Sequence, residues 1–80
     1  MIKTPEATRI LVTGGAGFVG TAIVTAILEK HPDWKVTVID LRPGDEWESP
    51  SSAVNYEQVD IRKSEECYNV VSMCDPHVIV

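Results

Sequence analysis

Thr13-Gly14-Gly15-Ala16-Gly17-Phe18-Val19-Gly20 is the stretch whose reading decides how the rest of the chain folds. It holds two overlapping glycine registers, G-x-x-G-x-x-G at Gly14, Gly17 and Gly20 and G-x-G-x-x-G at Gly15, Gly17 and Gly20. Both serve the same physical end. A pyrophosphate needs backbone N–H groups and the positive end of a helix dipole in direct contact, and a Cβ in the turn blocks that approach. Glycine-rich turns also serve simply to reverse the chain or to let a helix pack tightly on a sheet, so the flanks have to decide.

Upstream, Arg9 to Thr13 reads Arg-Ile-Leu-Val-Thr, a short apolar and β-branched run of the kind that forms a strand buried on both faces. Downstream, Phe18 to Lys30 is too long for a strand and carries Val19, Ala22, Ile23, Val24, Ala26, Ile27 and Leu28 at helical spacings. It predicts a largely buried helix stopped by Pro32, which disfavours a helical residue before it. Lys35 to Asp40 is again β-branched and ends on a carboxylate, giving a second strand and a complete β-α-β unit. Asp40 lies 20 residues beyond Gly20, where a carboxylate can accept both ribose hydroxyl protons. With these flanks the glycine stretch reads as a dinucleotide-binding turn.

Beyond Asp40, residues 42–52 are rich in proline, serine and acids and predict an exposed loop in place of a second crossover helix. Val54 to Asp60 predicts a third strand. Ser64 is expected to cap a helix whose first turn holds Glu65 and Glu66, favourable at the positive end of the helix dipole. Cys67, Val70, Val71 and Cys74 fall on one stripe of that helix, which should face the sheet. Asp75-Pro76 ends it, and His77 to Val80 begins a fourth strand. Alternating strands and helices predict an α/β fold with a doubly wound parallel sheet of order 3-2-1-4, incomplete over residues 1–80 and without a substrate domain.

The glycine stretch resembles the fingerprint of the extended short-chain dehydrogenase/reductase superfamily, and the resemblance extends to Asp40 closing the second strand and to Asp60-Ile61-Arg62 closing the third. Within that superfamily, Val38-Ile39-Asp40-Leu41 and the polar insert after it look most like the 3β-hydroxysteroid dehydrogenase/isomerase branch. Sugar-nucleotide epimerases and dehydratases are nearly as similar. The resemblance implies a partial Rossmann-type NAD(P)-binding domain, with Gly14, Gly17, Phe18, Val19, Gly20, Asp40, Leu41, Arg42, Asp60 and Ile61 as cofactor-binding positions. Asp60 and Ile61 are the pair that the family sets against the adenine. A carboxylate at Asp40 favours NAD over NADP because it repels a 2′-phosphate, while Arg42 leaves NADP as the alternative.

The family's catalysis resembles a Tyr-x-x-x-Lys pair with a Ser or Thr, and this chain has none: Tyr56 is followed four residues on by Asp60, and Tyr68 by Ser72. No catalytic residue is therefore assigned. A steroid or sugar-nucleotide substrate is expected only of a longer parent, with a non-catalytic NAD-binding module as the other reading. His31 and His77 read as surface or packing residues, Phe18 as a packing residue beneath the turn, and Trp47 as a surface contact in preference to a cover over the adenine. The hydroxyl of Thr13 is expected to tie the turn to a neighbouring backbone group.

Composition narrows the classes further. A net charge of −5 without a basic stripe argues against nucleic acid as a partner. The apolar fraction of 44% and charged fraction of 24% allow a packed core. No apolar run approaches the roughly 20 residues that span a bilayer, and Met1 to Arg9 lacks a secretory apolar stretch, so a cytoplasmic protein is expected. Cys67 and Cys74, about 10 Å apart on one helix, are too distant for a disulfide and lack zinc-site spacing; no metal site is expected. The outer edge of the fourth strand is expected to lack a partner, which invites self-association.

Overall fold

The structure, a computed structural model, describes residues 8–80; the expectation about Met1 to Arg9 rests mainly on residues outside that range. Four parallel strands run in the order β3-β2-β1-β4. They are β1 (Arg9–Thr13), β2 (Lys35–Asp40), β3 (Asn55–Gln58) and β4 (Val78–Ile79), with helices α1 (Phe18–Lys30) and α2 (Ser64–Cys74) between them. The expected α/β class and the 3-2-1-4 order are both present.

The sheet is coated on both faces because side chains alternate along each strand. Ile10 and Val12 of β1 and Val36 and Val38 of β2 meet Val24 of α1 on one face, with Ile27 and Leu28 packed alongside. Leu11, Ile39 and Val59 point the other way, towards Val70, Val71 and Cys74 of α2. The predicted stripe of α2 therefore does turn to the sheet, Cys67 being half-buried outside that cluster. Each fully buried valine or leucine contributes about 1.5–3 kcal/mol by leaving water.

Several boundaries and roles differ from the sequence-based expectation. The first helix is less enclosed than its composition suggests: only Gly20 and Val24 are buried, because a helix on an open sheet has one apolar neighbour, and Val19 is exposed. Strand β3 is shorter than Val54 to Asp60, although Val59 still donates its N–H to the Asp40 carbonyl at 2.8 Å. Ser64 does not cap α2. Lys63 holds that position without a side-chain bond, since a turn at Asp60 sets the start: Lys63 N–H donates to the Asp60 carbonyl at 2.9 Å, and Cys67 N–H to Lys63 at 3.1 Å. The far end of α2 closes as read, with Asp75 in the left-handed region (φ 44°) and Pro76 behind it. No helix among the described residues is long and apolar enough to cross a membrane.

Candidate functional site

The turn between β1 and α1 sits at the carboxyl ends of the strands, the edge at which open α/β sheets receive ligands. Gly14 N–H donates to the Ile39 carbonyl at 2.8 Å, so the turn is tied to β2 as soon as it leaves β1. Gly14 has φ +65°, a conformation that a side chain resists. At Gly20 a Cβ would come within 2.6 Å of Gly15 Cα and would also strike the Gly14 carbonyl oxygen. At Gly15 it would lie 2.5 Å from Val38 Cγ1. Packing of the turn requires glycine at Gly15 and Gly20, and the positive φ favours it at Gly14.

Gly17 is different. Its backbone is extended (φ −75°, ψ 175°), and a Cβ there would meet only the Gly14 carbonyl oxygen, at an ordinary 3.4 Å. Among the described residues nothing demands glycine at this position. The first intrahelical bond of α1 is Thr21 N–H to the Gly17 carbonyl at 2.9 Å, so the N–H groups of Phe18, Val19 and Gly20 precede the helix ladder. A concentration of such donors at a helix start suits an anion, and the space that a Cβ would take at Gly17 lies beside it.

Asp40 ends β2 next to this turn. One carboxylate oxygen accepts the Ala16 N–H at 3.1 Å and the other accepts the Arg42 N–H at 3.1 Å, which fixes the plane of the group. Arg42 reaches back and donates from Nη1 to the Ala16 carbonyl at 3.0 Å. Leu41 and Ile61 are 58% and 59% exposed, two aliphatic side chains just past the ends of β2 and β3. Gln58 donates to the Leu41 carbonyl at 3.2 Å and holds that segment against β3.

Asp60 is engaged by Arg62 through both oxygens, Nε at 2.9 Å and Nη2 at 2.8 Å, and also accepts the Arg62 N–H at 3.0 Å. These bonds to the Arg62 side chain and backbone outweigh a small opposing effect of burial and lower its pKa to about 2. Asp60 is therefore an acceptor across the physiological range.

Phe18 is 94% exposed, and Val19 is 69% exposed. The expectation that Phe18 packs beneath the turn is incorrect: Val38 already occupies that place against Gly15, and the first residue of α1 points outward. Trp47 is also not a plain surface contact. It is half-buried against the α1 side of the core, tilted over Tyr56 with ring centroids 5.2 Å apart, and donates from Nε1 to Thr21 Oγ1 at 3.1 Å. Thr13 behaves as read, its hydroxyl donating to the Val80 carbonyl at 2.8 Å. His31 stacks on Trp34, and His77 Nδ1 accepts the Arg9 N–H.

Sequence reasoning missed Ala16, Thr21, Tyr56 and Gln58. Ala16 acts through its backbone alone, so its side chain carries no signal. Thr21, one residue past the glycine motif, was the nearest available clue. Among the described residues no group of three or more His, Cys, Asp or Glu is placed to hold a metal. A hollow of about 320 Å³ lies at the opposite ends of the strands, between their first residues and the last turn of α2, away from the glycine turn.

Comparison with known proteins places this geometry. A dTDP-glucose 4,6-dehydratase of Salmonella typhimurium is 32% identical over an alignment 77 residues long that covers 90% of this chain and 21% of that protein. The structure of dTDP-glucose 4,6-dehydratase from Bacillus anthracis in complex with NAD matches 91% of this chain and 26% of its own, with TM-score 0.75 and 26% identity. UDP-glucose 4-epimerase from Thermus thermophilus, also in complex with NAD, matches 90% of this chain and 22% of its own, with TM-score 0.74 and 30% identity. The chain thus spans about a fifth to a quarter of the length of these relatives. The fold is the Rossmann-type fold of these NAD-complexed neighbours. A family model described as the 3-beta hydroxysteroid dehydrogenase/isomerase family matches residues 11–80. The chain therefore belongs to the 3-beta hydroxysteroid dehydrogenase/isomerase family, within the extended short-chain dehydrogenase/reductase superfamily.

Proposed function

We propose that this chain is the NAD-binding portion of an oxidoreductase of the extended short-chain dehydrogenase type. The observation that carries the proposal is Gly17, a glycine that the fold does not need, beside the N–H groups of Phe18, Val19 and Gly20. A pyrophosphate lying on that helix start would use the space left by the missing Cβ. Asp40, its carboxylate plane set by Ala16 and Arg42, accepts the adenosine ribose hydroxyls, and its charge disfavours a 2′-phosphate. Leu41 and Ile61 line the two sides of the adenine, and Asp60 accepts a hydrogen bond from its edge. The bound cofactor supplies hydride chemistry; the residues of this chain bind and orient it.

Residues 1–80 supply cofactor-binding positions and contain no Tyr-x-x-x-Lys pair, so the steroid chemistry named in the family description is assigned to no residue of this chain. The dehydratase and epimerase relatives support a second reading, a sugar-nucleotide enzyme with the same cofactor half-site. A non-catalytic NAD-binding module would use this site equally well. The place of action is the cytoplasm. The outer side of β4, where Val78, Ile79 and Val80 are 43%, 56% and 50% exposed, is a surface for self-association.

Titrating the 80-residue chain with NAD while following Trp fluorescence and thermal unfolding tests the proposal. Saturable binding with a rise in Tm is expected, because a ligand that prefers the folded state stabilises it by mass action. A folded chain whose Tm and fluorescence do not respond at millimolar NAD would refute it.

A further inference from the structure

The two carboxylate oxygens of Asp40 rest on two different backbone N–H groups, Ala16 at 3.1 Å and Arg42 at 3.1 Å. The peptide units that supply these donors are each held from the opposite side as well. The carbonyl of the unit joining Gly15 to Ala16 accepts the Thr21 hydroxyl at 3.2 Å. The carbonyl of the unit joining Leu41 to Arg42 accepts the Gln58 side-chain amide at 3.2 Å. A peptide is planar with its C=O and N–H pointing in opposite directions, so a bond at the carbonyl aims the N–H. Both units lie outside the helices and strands, and the first follows a glycine, whose backbone turns at little cost. Thr21 is itself oriented: its oxygen accepts the Trp47 indole N–H at 3.1 Å while its own O–H goes to Gly15.

We propose that Thr21 and Gln58 are positioning residues for Asp40: through these two peptides they clamp its carboxylate in the plane in which it meets the ribose hydroxyls of a nucleotide. The proposal rests on the ribose reading of Asp40 given above and deepens it, assigning the orientation of the acid to two side chains that act through the backbone. Each carboxylate oxygen keeps a second lone pair for a ribose hydroxyl. When either carbonyl bond is lost, the corresponding peptide is free to turn, its N–H leaves Asp40, and the carboxylate can rotate about its Cβ–Cγ bond. A rotated carboxylate still carries its charge but no longer presents both oxygens to a diol. The loss therefore falls on recognition of the hydroxyls and spares the pyrophosphate and the base.

The test measures binding of ADP and 2′-deoxy-ADP, which differ by one ribose hydroxyl, to the 80-residue chain and to its Thr21→Val, Thr21→Ser and Gln58→Met variants. The wild type should prefer ADP. That preference should fall about fivefold in Thr21→Val, the factor a single net hydrogen bond supplies, and about threefold in Gln58→Met, whose side chain is exposed. Affinity for 2′-deoxy-ADP should stay unchanged in both, and Thr21→Ser, which keeps the hydroxyl, should keep the wild-type preference. An unchanged preference in either variant, equal losses for both nucleotides, or a Thr21→Ser chain that behaves like Thr21→Val would overturn the proposal. If Thr21→Val does not fold, Gln58→Met decides between these results. A wild type that binds both nucleotides equally would overturn this proposal and leave the pyrophosphate part of the NAD-binding reading in place. A folded wild type that binds neither nucleotide would overturn that reading itself, and this proposal with it.

Discussion

The inner wall of the glycine turn and its outer lip are built from the same residue type for opposite reasons. On the inner wall, Gly20 lies against Gly14 and Gly15, and Gly15 lies against Val38, so a side chain at either position has nowhere to go. On the outer lip, Gly17 has an ordinary backbone and room for a Cβ, and the neighbouring Phe18 and Val19 face solvent. The contrast teaches that glycine on the wall is a requirement of folding, whereas glycine on the lip leaves open space beside the start of α1, the space we assign to the cofactor. Substitutions at the two places should therefore separate stability from binding.

The largest effect is expected at the wall. Gly20→Ala forces a methyl group into backbone atoms that cannot yield, and should lower unfolding stability by about 3 kcal/mol or prevent folding, as read by denaturant melts. Stability equal to that of the wild type would remove the wall side of the contrast. Gly14→Ala meets no atom but must hold a positive φ, so a loss of about 1 kcal/mol is expected. Gly14→Asn, which tolerates that conformation, should lose less; the reverse order would show that sterics and not φ govern the position.

The smallest effect concerns Asp60, outside the turn. Its folded pKa of about 2 lies below the ordinary 3.8, so the stabilisation from the Arg62 contact is fully present above about pH 3.8 and is lost as pH falls through 2. Arg62→Leu should return the Asp60 pKa towards 3.8 in an NMR titration. High salt should move the wild-type value in the same direction, since the guanidinium is largely exposed. A pKa unmoved by Arg62→Leu would mean that other groups hold the carboxylate.

Much of this was legible in the sequence where local pattern and tertiary demand agree. The β-branched runs of β1 and β2 and the proline after α1 set those boundaries as read, because both strands are buried on two faces and the helix has a hard stop. Legibility failed where a neighbour far along the chain decides. Ser64 looked like a cap, but the Asp60 turn started α2 one residue sooner. Phe18 looked like core, but Val38 had filled the space beneath the turn. Trp47 sat in a stretch that composition marks as loop, and nothing near it foretold a bond to Thr21, 26 residues earlier. At the site, the glycines and Asp40 were readable from spacing, whereas the role of Ala16 is carried by its N–H and carbonyl alone.

The most direct test of the central claim is a parallel NAD titration of the wild-type chain and Gly17→Ser, with Tm measured in both. Serine is at least as good a helix N-cap as glycine, so the Tm without cofactor should hold or rise slightly. The variant should then bind NAD about tenfold or more weakly, because its side chain occupies the space reserved for the pyrophosphate. A Gly17→Ser chain that is as stable as the wild type and binds NAD equally well would contradict the assignment of the outer lip to the cofactor.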